Sequence, residues 1–442
     1  MKVTLIKPNI GRREQHAYVD EGRMEPLQLG VLAALAPPDV EVALYDDRVE
    51  AIPYDEPTDL AAITVETYTA RRAYEISAEY RARGVPVIMG GFQATLAPDE
   101  CALHTDAVYV GDAEFRWAEA IEDARRGALR PRYDAPVGVA HPGVLTRRDL
   151  FAGKGYLPLT LMQFNRGCRY RCRFCAVSEY FGARCFRRAV DEVVREIEAQ
   201  ERRFIFFVDD NIAADHAALK ELCRALVPLG VRWVSQASID MADDPELLDL
   251  MTESGCLGHV VGFESLDRRS LRYMRKSPNL VQFDQYRRQL ATLRARGMQL
   301  WASFTLGHDF DTEQSVADTL DFALDNKFCF AAFNILMPYP GTQLYRELAA
   351  EGRLLYDGRW WLHPDYRFNY ASFRPKRMTP EQLTAACLRA RTAFNSPLSI
   401  LRRAFDFRTN MSSPYRLGLY LQFNPLFRRE VFKKHGMRFG YT

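Results

Sequence analysis

LTLMQFNRGCRYRCRFCAVSEYFGARC, residues 159–185, opens as a strand and then delivers cysteines at 168, 172, 175 and 185 among arginines. The chain holds only nine cysteines in 442 residues, so four in this stretch demand a chemical reason. No apolar run approaches the ~18–20 residues of a membrane span. The start MKVTLIKPNI has a strand pattern rather than that of a secretion signal. A cytoplasmic location is expected, where thiols stay reduced and a tight cysteine cluster points to metal or redox chemistry rather than to disulfides.

The spacing narrows the chemistry. A zinc ribbon needs four ligands, usually as two CxxC pairs, and the second pair is missing. Cys185 stands ten residues beyond Cys175, a separation that matches no common finger. Three thiolates on a four-iron cluster leave one iron open for a substrate or cofactor. The eight histidines show no HxxxH or HExxH pairing, so a zinc hydrolase is excluded.

Outward from this stretch, strand and helix patterns alternate on both sides. Residues 1–126 contain five apolar runs of strand length, VTLIKP, VEVALYD, LAAITV, VPVIMGG and AVYVGD. Alternation of this kind predicts a doubly wound, flavodoxin-like parallel sheet with ligands at the carboxyl ends of its strands. Those ends carry Pro8 and Asn9, then Thr64, Glu66 and Thr67, then Gly90 and Gly91, then Gly111 and Asp112. Residues 127–158, with Pro131, Pro136, Pro142 and Pro158, read as a linker. Six further strand–helix units over 159–345 predict a partial barrel of the (β/α) type. Residues 346–442 form a mainly helical region, with Thr379-Pro380-Glu381-Gln382 as a helix start. The whole chain has a charge of +2, but from Arg374 onward fourteen Lys and Arg face three Asp and Glu, a surplus of +11.

CxxxCxxC with Phe174 before its last cysteine, directly after the first barrel strand, resembles the radical S-adenosylmethionine superfamily. The resemblance implies that Cys168, Cys172 and Cys175 hold a [4Fe-4S] cluster. Its open iron would chelate S-adenosylmethionine, and one electron would release a 5′-deoxyadenosyl radical. It further implies S-adenosylmethionine contacts from Phe174, Gln236, Ser238, Glu264, Ser265, Gly307, Pro340 and Gly341. Asp209, Asp210 and Asn211 end the second barrel strand and are either site residues or caps of the next helix.

The first sheet resembles the cobalamin-binding domain of the cobalamin-dependent members of that family, through MKVTLIKP, RGVPVIMGGFQATLAPDE and YVGDAE. By that resemblance the nucleotide tail of cobalamin threads beside Gly90 and Gly91, and the corrin lies over the strand ends. The DxHxxG signature is absent, and His16, His104 and His141 lie in loops without that context. Cobalt without a histidine ligand is expected, with Glu66, Thr67 and Tyr68 beneath the corrin.

The implied activity is methyl transfer from methylcobalamin to an unactivated carbon of a small or lipid-like molecule. Oxidative cyclisation or ring rearrangement with the same cofactors is the alternative within the family, and a non-catalytic cobalamin or iron–sulfur sensor the alternative outside it. A flavodoxin- or ferredoxin-type electron donor is the expected partner, docking on Arg166, Arg169, Arg171 and Arg173 as a solvated face. The remaining cysteines, Cys185 included, read as small buried hydrophobes, with Cys329 pointing toward the barrel mouth. Aromatics interleaved with arginine in the tail suggest peripheral contact with an anionic membrane or a packed helix pair, and nucleic acid is not expected.

Overall fold

The structure is a computed structural model that describes residues 1–13, 21–138 and 143–441. His16, His141 and Pro142 lie outside the described residues.

The first sheet has six parallel strands: β1 (Lys2–Lys7), β2 (Glu41–Asp46), β3 (Leu60–Thr64), β4 (Val87–Gly90), β5 (Ala107–Val110) and β6 (Arg132–Asp134). Their spatial order is β2-β1-β3-β4-β5-β6, the doubly wound flavodoxin-like order with its switch point between β1 and β3. Successive residues of β4 show why these runs are apolar on both sides. Val87 and Met89 pack with helix Ala70–Ala82, whereas Ile88 packs with helices Leu27–Ala34 and Trp117–Arg125. Both faces of the sheet are thus covered, as parallel sheets require.

The sequence pattern gave five strands here, and the sixth comes from the stretch read as a linker. β6 pairs with β5 through Tyr109↔Tyr133, and Tyr133 is buried. Farther along the same stretch, Phe151 packs so close to Gly30 that a Cβ there would lie 2.6 Å from its ring. A three-residue strand among prolines has no period to read, and its partner strand alone makes it a strand.

The second sheet begins with β7 (Thr160–Met162). It is followed by an antiparallel hairpin of β8 (Asn165–Gly167) and β9 (Cys185–Arg187) that frames the cysteine loop. The sheet continues through β10 (Phe204–Phe207), β11 (Arg232–Ala237), β12 (Cys256–Glu264), β13 (Gln299–Leu306) and β14 (Phe330–Ile335). All six expected strands are present, parallel and in chain order, with β7 and β14 as the open edges of a partial barrel.

Residues beyond the barrel fill the opening. Helix Pro380–Phe394 runs beside β14 and starts as the sequence indicates, with Thr379 Oγ1 accepting from Gln382 N at 3.2 Å and Gln382 Oε1 accepting from Thr379 N at 2.8 Å. Helix Pro414–Lys434 closes the amino-terminal end of the barrel, where Phe427 packs on Trp301 and Phe330 at ring separations of 4.9 and 5.1 Å. Part of the tail's aromatic content is therefore structural. Cys329 lies at this lower end, buried with Ala404 and Tyr420, and so cannot face the barrel mouth as expected.

Candidate functional site

Cys168, Cys172 and Cys175 lie in the loop between β8 and the short helix Ala176–Phe181. Three consecutive residues at the carboxyl end of β10 brace that loop. Asp209, just after β10, accepts from the backbone amides of Phe164 and Asn165 at 2.8 and 2.9 Å, while burial pushes its carboxyl up to about 8. Asp210 accepts from Gly167 N at 2.7 Å. Asn211 receives Ser238 N on its Oδ1 at 3.1 Å, and its Nδ2 lies 3.9 Å from Cys168 Sγ. These three side chains hold the cysteine hairpin from below, and none of them caps the next helix.

The other side of the loop is held by a turn the sequence did not single out. Met274 O accepts from Arg173 N at 3.0 Å, Arg275 O lies 3.9 Å from Cys172 Sγ, and Lys276 Nζ reaches Glu264 Oε1 at 2.9 Å. Glu264 ends β12 at φ 63, in the left-handed region that costs a residue with a Cβ roughly 1–3 kcal/mol. A register shift between Gly262 and Glu264 turns its carboxylate toward Lys276 and Thr305, whose Oγ1 donates to Oε2 at 2.7 Å. A Cβ at Gly262 would stand 2.4 Å from Glu264 Oε1, so the glycine leaves room for the pair. Burial alone would lower the ammonium pKa, but Glu264 and the nearby Cys172 hold it well above the ordinary lysine value. Burial pushes the Cys172 thiol up to about 12 and raises Cys175, with Lys276 opposing in both cases.

This donor set fits a cluster better than a single ion. Among the described residues no group of three or more His, Cys, Asp or Glu converges as one metal ion requires. A four-iron cluster instead takes each thiolate on a different iron. Cys185 is exposed and opposite Gly167 on the hairpin, which corrects its reading as a buried residue. Cys101, Cys223, Cys256, Cys329 and Cys387 are buried.

The remaining positions expected around S-adenosylmethionine divide. Phe174 is half-buried beside the thiols, Gln236 Nε2 donates to Asp210 O at 2.9 Å, and Ser238 joins Asn211. Ser265 Oγ accepts from Asp267 N at 3.1 Å, in the turn before helix Arg268–Tyr273. Gly307, with φ 106, is packed beneath Leu383. The Pro340-Gly341 turn abuts Leu96 of the first sheet's unit, and Thr342 caps the next helix.

Between the two sheets lies a cavity of about 480 Å³. Thr64, Glu66, Gly90, Gly91, Gly111 and Asp112 line it, together with Leu29 and Trp117 from the flanking helices. Its opposite wall is the cysteine hairpin, through Gln163, Arg166, Tyr180 and Phe181. Gly90 faces open space, since a Cβ there would meet only Tyr109 at 3.5 Å, whereas Gly91 has φ 105 and backbone at 2.9 Å. Such a slot, apolar with glycine at its rim, suits the tail of a nucleotide cofactor. Pro8, Asn9, Thr67 and Tyr68 do not line it. Asn9 N donates to Asp47 Oδ2 at 3.3 Å, and Tyr68 packs among Tyr339, Trp360, Phe368 and Phe439.

The four arginines of the loop are not one solvated face. Arg166 pairs with Asp112 at 3.4 Å and with Glu114, linking the hairpin to the first sheet, and Arg173 pairs with Glu347 at 3.1 Å. Only Arg169 and Arg171 are exposed.

Residues 162–323 match the family model of the radical S-adenosylmethionine superfamily. The chain is 30% identical over 417 residues to bacteriochlorophyllide d C-12(1)-methyltransferase of Chlorobaculum tepidum, spanning 91% of this chain and 89% of that one. The chain belongs to the cobalamin-dependent radical S-adenosylmethionine enzymes. Bacteriochlorophyllide d C-8(2)-methyltransferase of the same organism is 27% identical over 75% of this chain and 78% of its own length. The fold of the family is seen in OxsB, solved with aqua-cobalamin and S-adenosylmethionine bound, which aligns with a TM-score of 0.68 at 13% identity over 98% of this chain and 71% of that one.

Proposed function

We propose that the chain methylates an unactivated carbon on a ring-bearing small molecule of the chlorin class. The observation that carries this reading is the shared wall: the hairpin that presents Cys168, Cys172 and Cys175 also lines the cavity entered past Gly90 and Gly111. The names of the two methyltransferases to which this chain is similar over most of its length support the substrate class.

When bound, a [4Fe-4S] cluster, S-adenosylmethionine and methylcobalamin supply the radical chemistry and the methyl group. The chain's own residues bind and orient. Cys168, Cys172 and Cys175 hold the cluster on a loop that Asp209, Asp210 and Asn211 keep in place. Lys276 and Glu264 present one cation and one carboxylate beside the thiols, complementary to the carboxylate and amino groups of S-adenosylmethionine. Gly90, Gly91, Thr64 and Gly111 receive the nucleotide tail of cobalamin in the cavity. Arg169 and Arg171, exposed at the cluster loop, offer a docking face to an acidic electron donor of flavodoxin or ferredoxin type in the cytoplasm.

The test is anaerobic reconstitution with iron, sulfide and methylcobalamin, followed by incubation with S-adenosylmethionine, dithionite and pheophorbide a. A product heavier by about 14 Da, one CH₂ of the kind counted in burial scales, is expected together with 5′-deoxyadenosine. Formation of 5′-deoxyadenosine with a chlorin left at its starting mass would remove the chlorin reading.

A further inference from the structure

Two arginines on neighbouring helices are buried in the C-terminal region, and the fold treats them differently. Arg403 donates to Phe328 O, Cys329 O and Phe394 O at 2.8, 2.9 and 3.0 Å and stacks on Phe394. Arg391, only 5% exposed, makes no side-chain hydrogen bond and no ion pair among the described residues, and its Nη1 is buried without a partner. A buried cation with neither counter-ion nor acceptor opposes folding, and a bound anion would supply the missing charge.

The surroundings of Arg391 are cationic and aromatic. Thr384, two turns before Arg391 on the same helix face, accepts from Ala371 N at 3.0 Å, which sets that face against the loop of Tyr366, Phe368 and Tyr370. Tyr68 packs on Phe368 at a ring separation of 5.5 Å, and His435, whose Nδ1 is likewise buried without a partner, packs on Tyr370 at 5.5 Å. Arg13 adds a second guanidinium, donating to His435 O. Tyr68 follows β3, and it packs on Tyr339, which follows β14. The group therefore stands where the carboxyl ends of the two sheets meet, the end of both folds at which ligands bind. Arg391 does not line the cavity assigned to cobalamin.

We propose that Arg391, with His435 and Arg13 on the neighbouring segments, receives an anionic group of the substrate, a carboxylate or a phosphate. The inference rests on the small-molecule methyl transfer proposed above and adds to it the acid that orients the acceptor. Guanidinium is suited to the task because its fork pairs both oxygens of such a group.

Cobalamin-loaded wild type is compared with Arg391→Met and Arg391→Lys by thermal unfolding and by fluorescence titration with pheophorbide a and its methyl ester. Hydroxocobalamin titration and thermal unfolding in phosphate against chloride at equal ionic strength accompany them. Without ligand, Arg391→Met is expected to raise Tm, because it removes an uncompensated charge; a fall in Tm would mean that the arginine is held structurally and would overturn the proposal. Wild type should bind the free acid about tenfold more tightly than the ester, and Arg391→Met should erase the difference while Arg391→Lys keeps part of it. Equal binding of acid and ester by wild type overturns the proposal. If neither chlorin binds, the chlorin reading fails; stabilisation by phosphate in wild type but not in Arg391→Met then upholds the anion site, and its absence overturns it. A tenfold loss of hydroxocobalamin affinity in Arg391→Met would assign the anion to the cofactor and overturn the substrate assignment.

Discussion

At the scale of single residues, Cys168, Cys172 and Cys175 share one loop, whereas Cys185 lies on the strand opposite Gly167. Replacing Cys168, Cys172 or Cys175 by Ala is expected to abolish cluster iron and its visible absorption after reconstitution. Cys185→Ala, on the exposed strand opposite Gly167, should retain both. Equal iron loss from Cys185→Ala would point to a four-cysteine site. Gly90 and Gly91 are not equivalent either. Gly90→Val has ordinary clearance from Tyr109 and points into the cavity, so it should weaken hydroxocobalamin binding by about tenfold or more while leaving Tm nearly unchanged. Gly91 cannot serve that test, since any side chain there meets backbone at a left-handed φ. Undiminished cobalamin affinity in Gly90→Val would move the tail out of this cavity.

At the scale of elements, the cysteine hairpin depends on carboxylates from the next strand. Asp209→Asn keeps the shape but exchanges one accepting oxygen for a donor that faces a backbone amide. A buried backbone amide left without an acceptor costs about 1–3 kcal/mol, so the hairpin should lose order and reconstituted iron should fall to a minor fraction of wild type. Full iron loading in Asp209→Asn would show that the hairpin is held by other contacts. The same element shows how far the sequence could be read. β7 and β10 through β14 were each visible as apolar runs, because a strand buried on both faces has a local signature. β6 was not visible, having three residues and only β5 to define it. Lys276 was also missed, because the left-handed turn at Arg275 and the twist of β12, not any spacing, bring it to Glu264.

At the scale of the whole molecule, the excess of +11 beyond residue 373 has two fates. Phe423, Tyr420 and Phe427 are committed to the base of the barrel, near Trp301 and Cys329. Leu398, Leu401, Phe405, Phe407, Tyr415 and Leu421 remain exposed, Phe407 by 74%, among arginines 402 and 408. Among the described residues no helix is long and apolar enough to cross a membrane. We propose that this basic C-terminal region touches an anionic bilayer peripherally, with attraction of order 1 kcal/mol per basic residue near the surface. Flotation with anionic liposomes should recover the protein at low salt and lose it as salt shortens the Debye length, with Phe407→Ser reducing recovery. Equal recovery with neutral liposomes, or none with either, would leave a freely diffusing substrate.

The sequence by itself determined what is local. Strand runs, the capped start at Thr379, the three-cysteine spacing and the glycines after β4 each depend on residues a few positions apart, and each stands in the structure where the pattern put it. Tertiary structure decided everything that depends on which distant side chains meet. It made Arg166 a tie to Asp112 and Glu114 rather than a docking face, gave Tyr68 to an aromatic wall rather than to the cavity floor, and left Arg391 buried without an anion. Charge pairing and burial are sums over neighbours in space, and a sequence orders neighbours only along the chain.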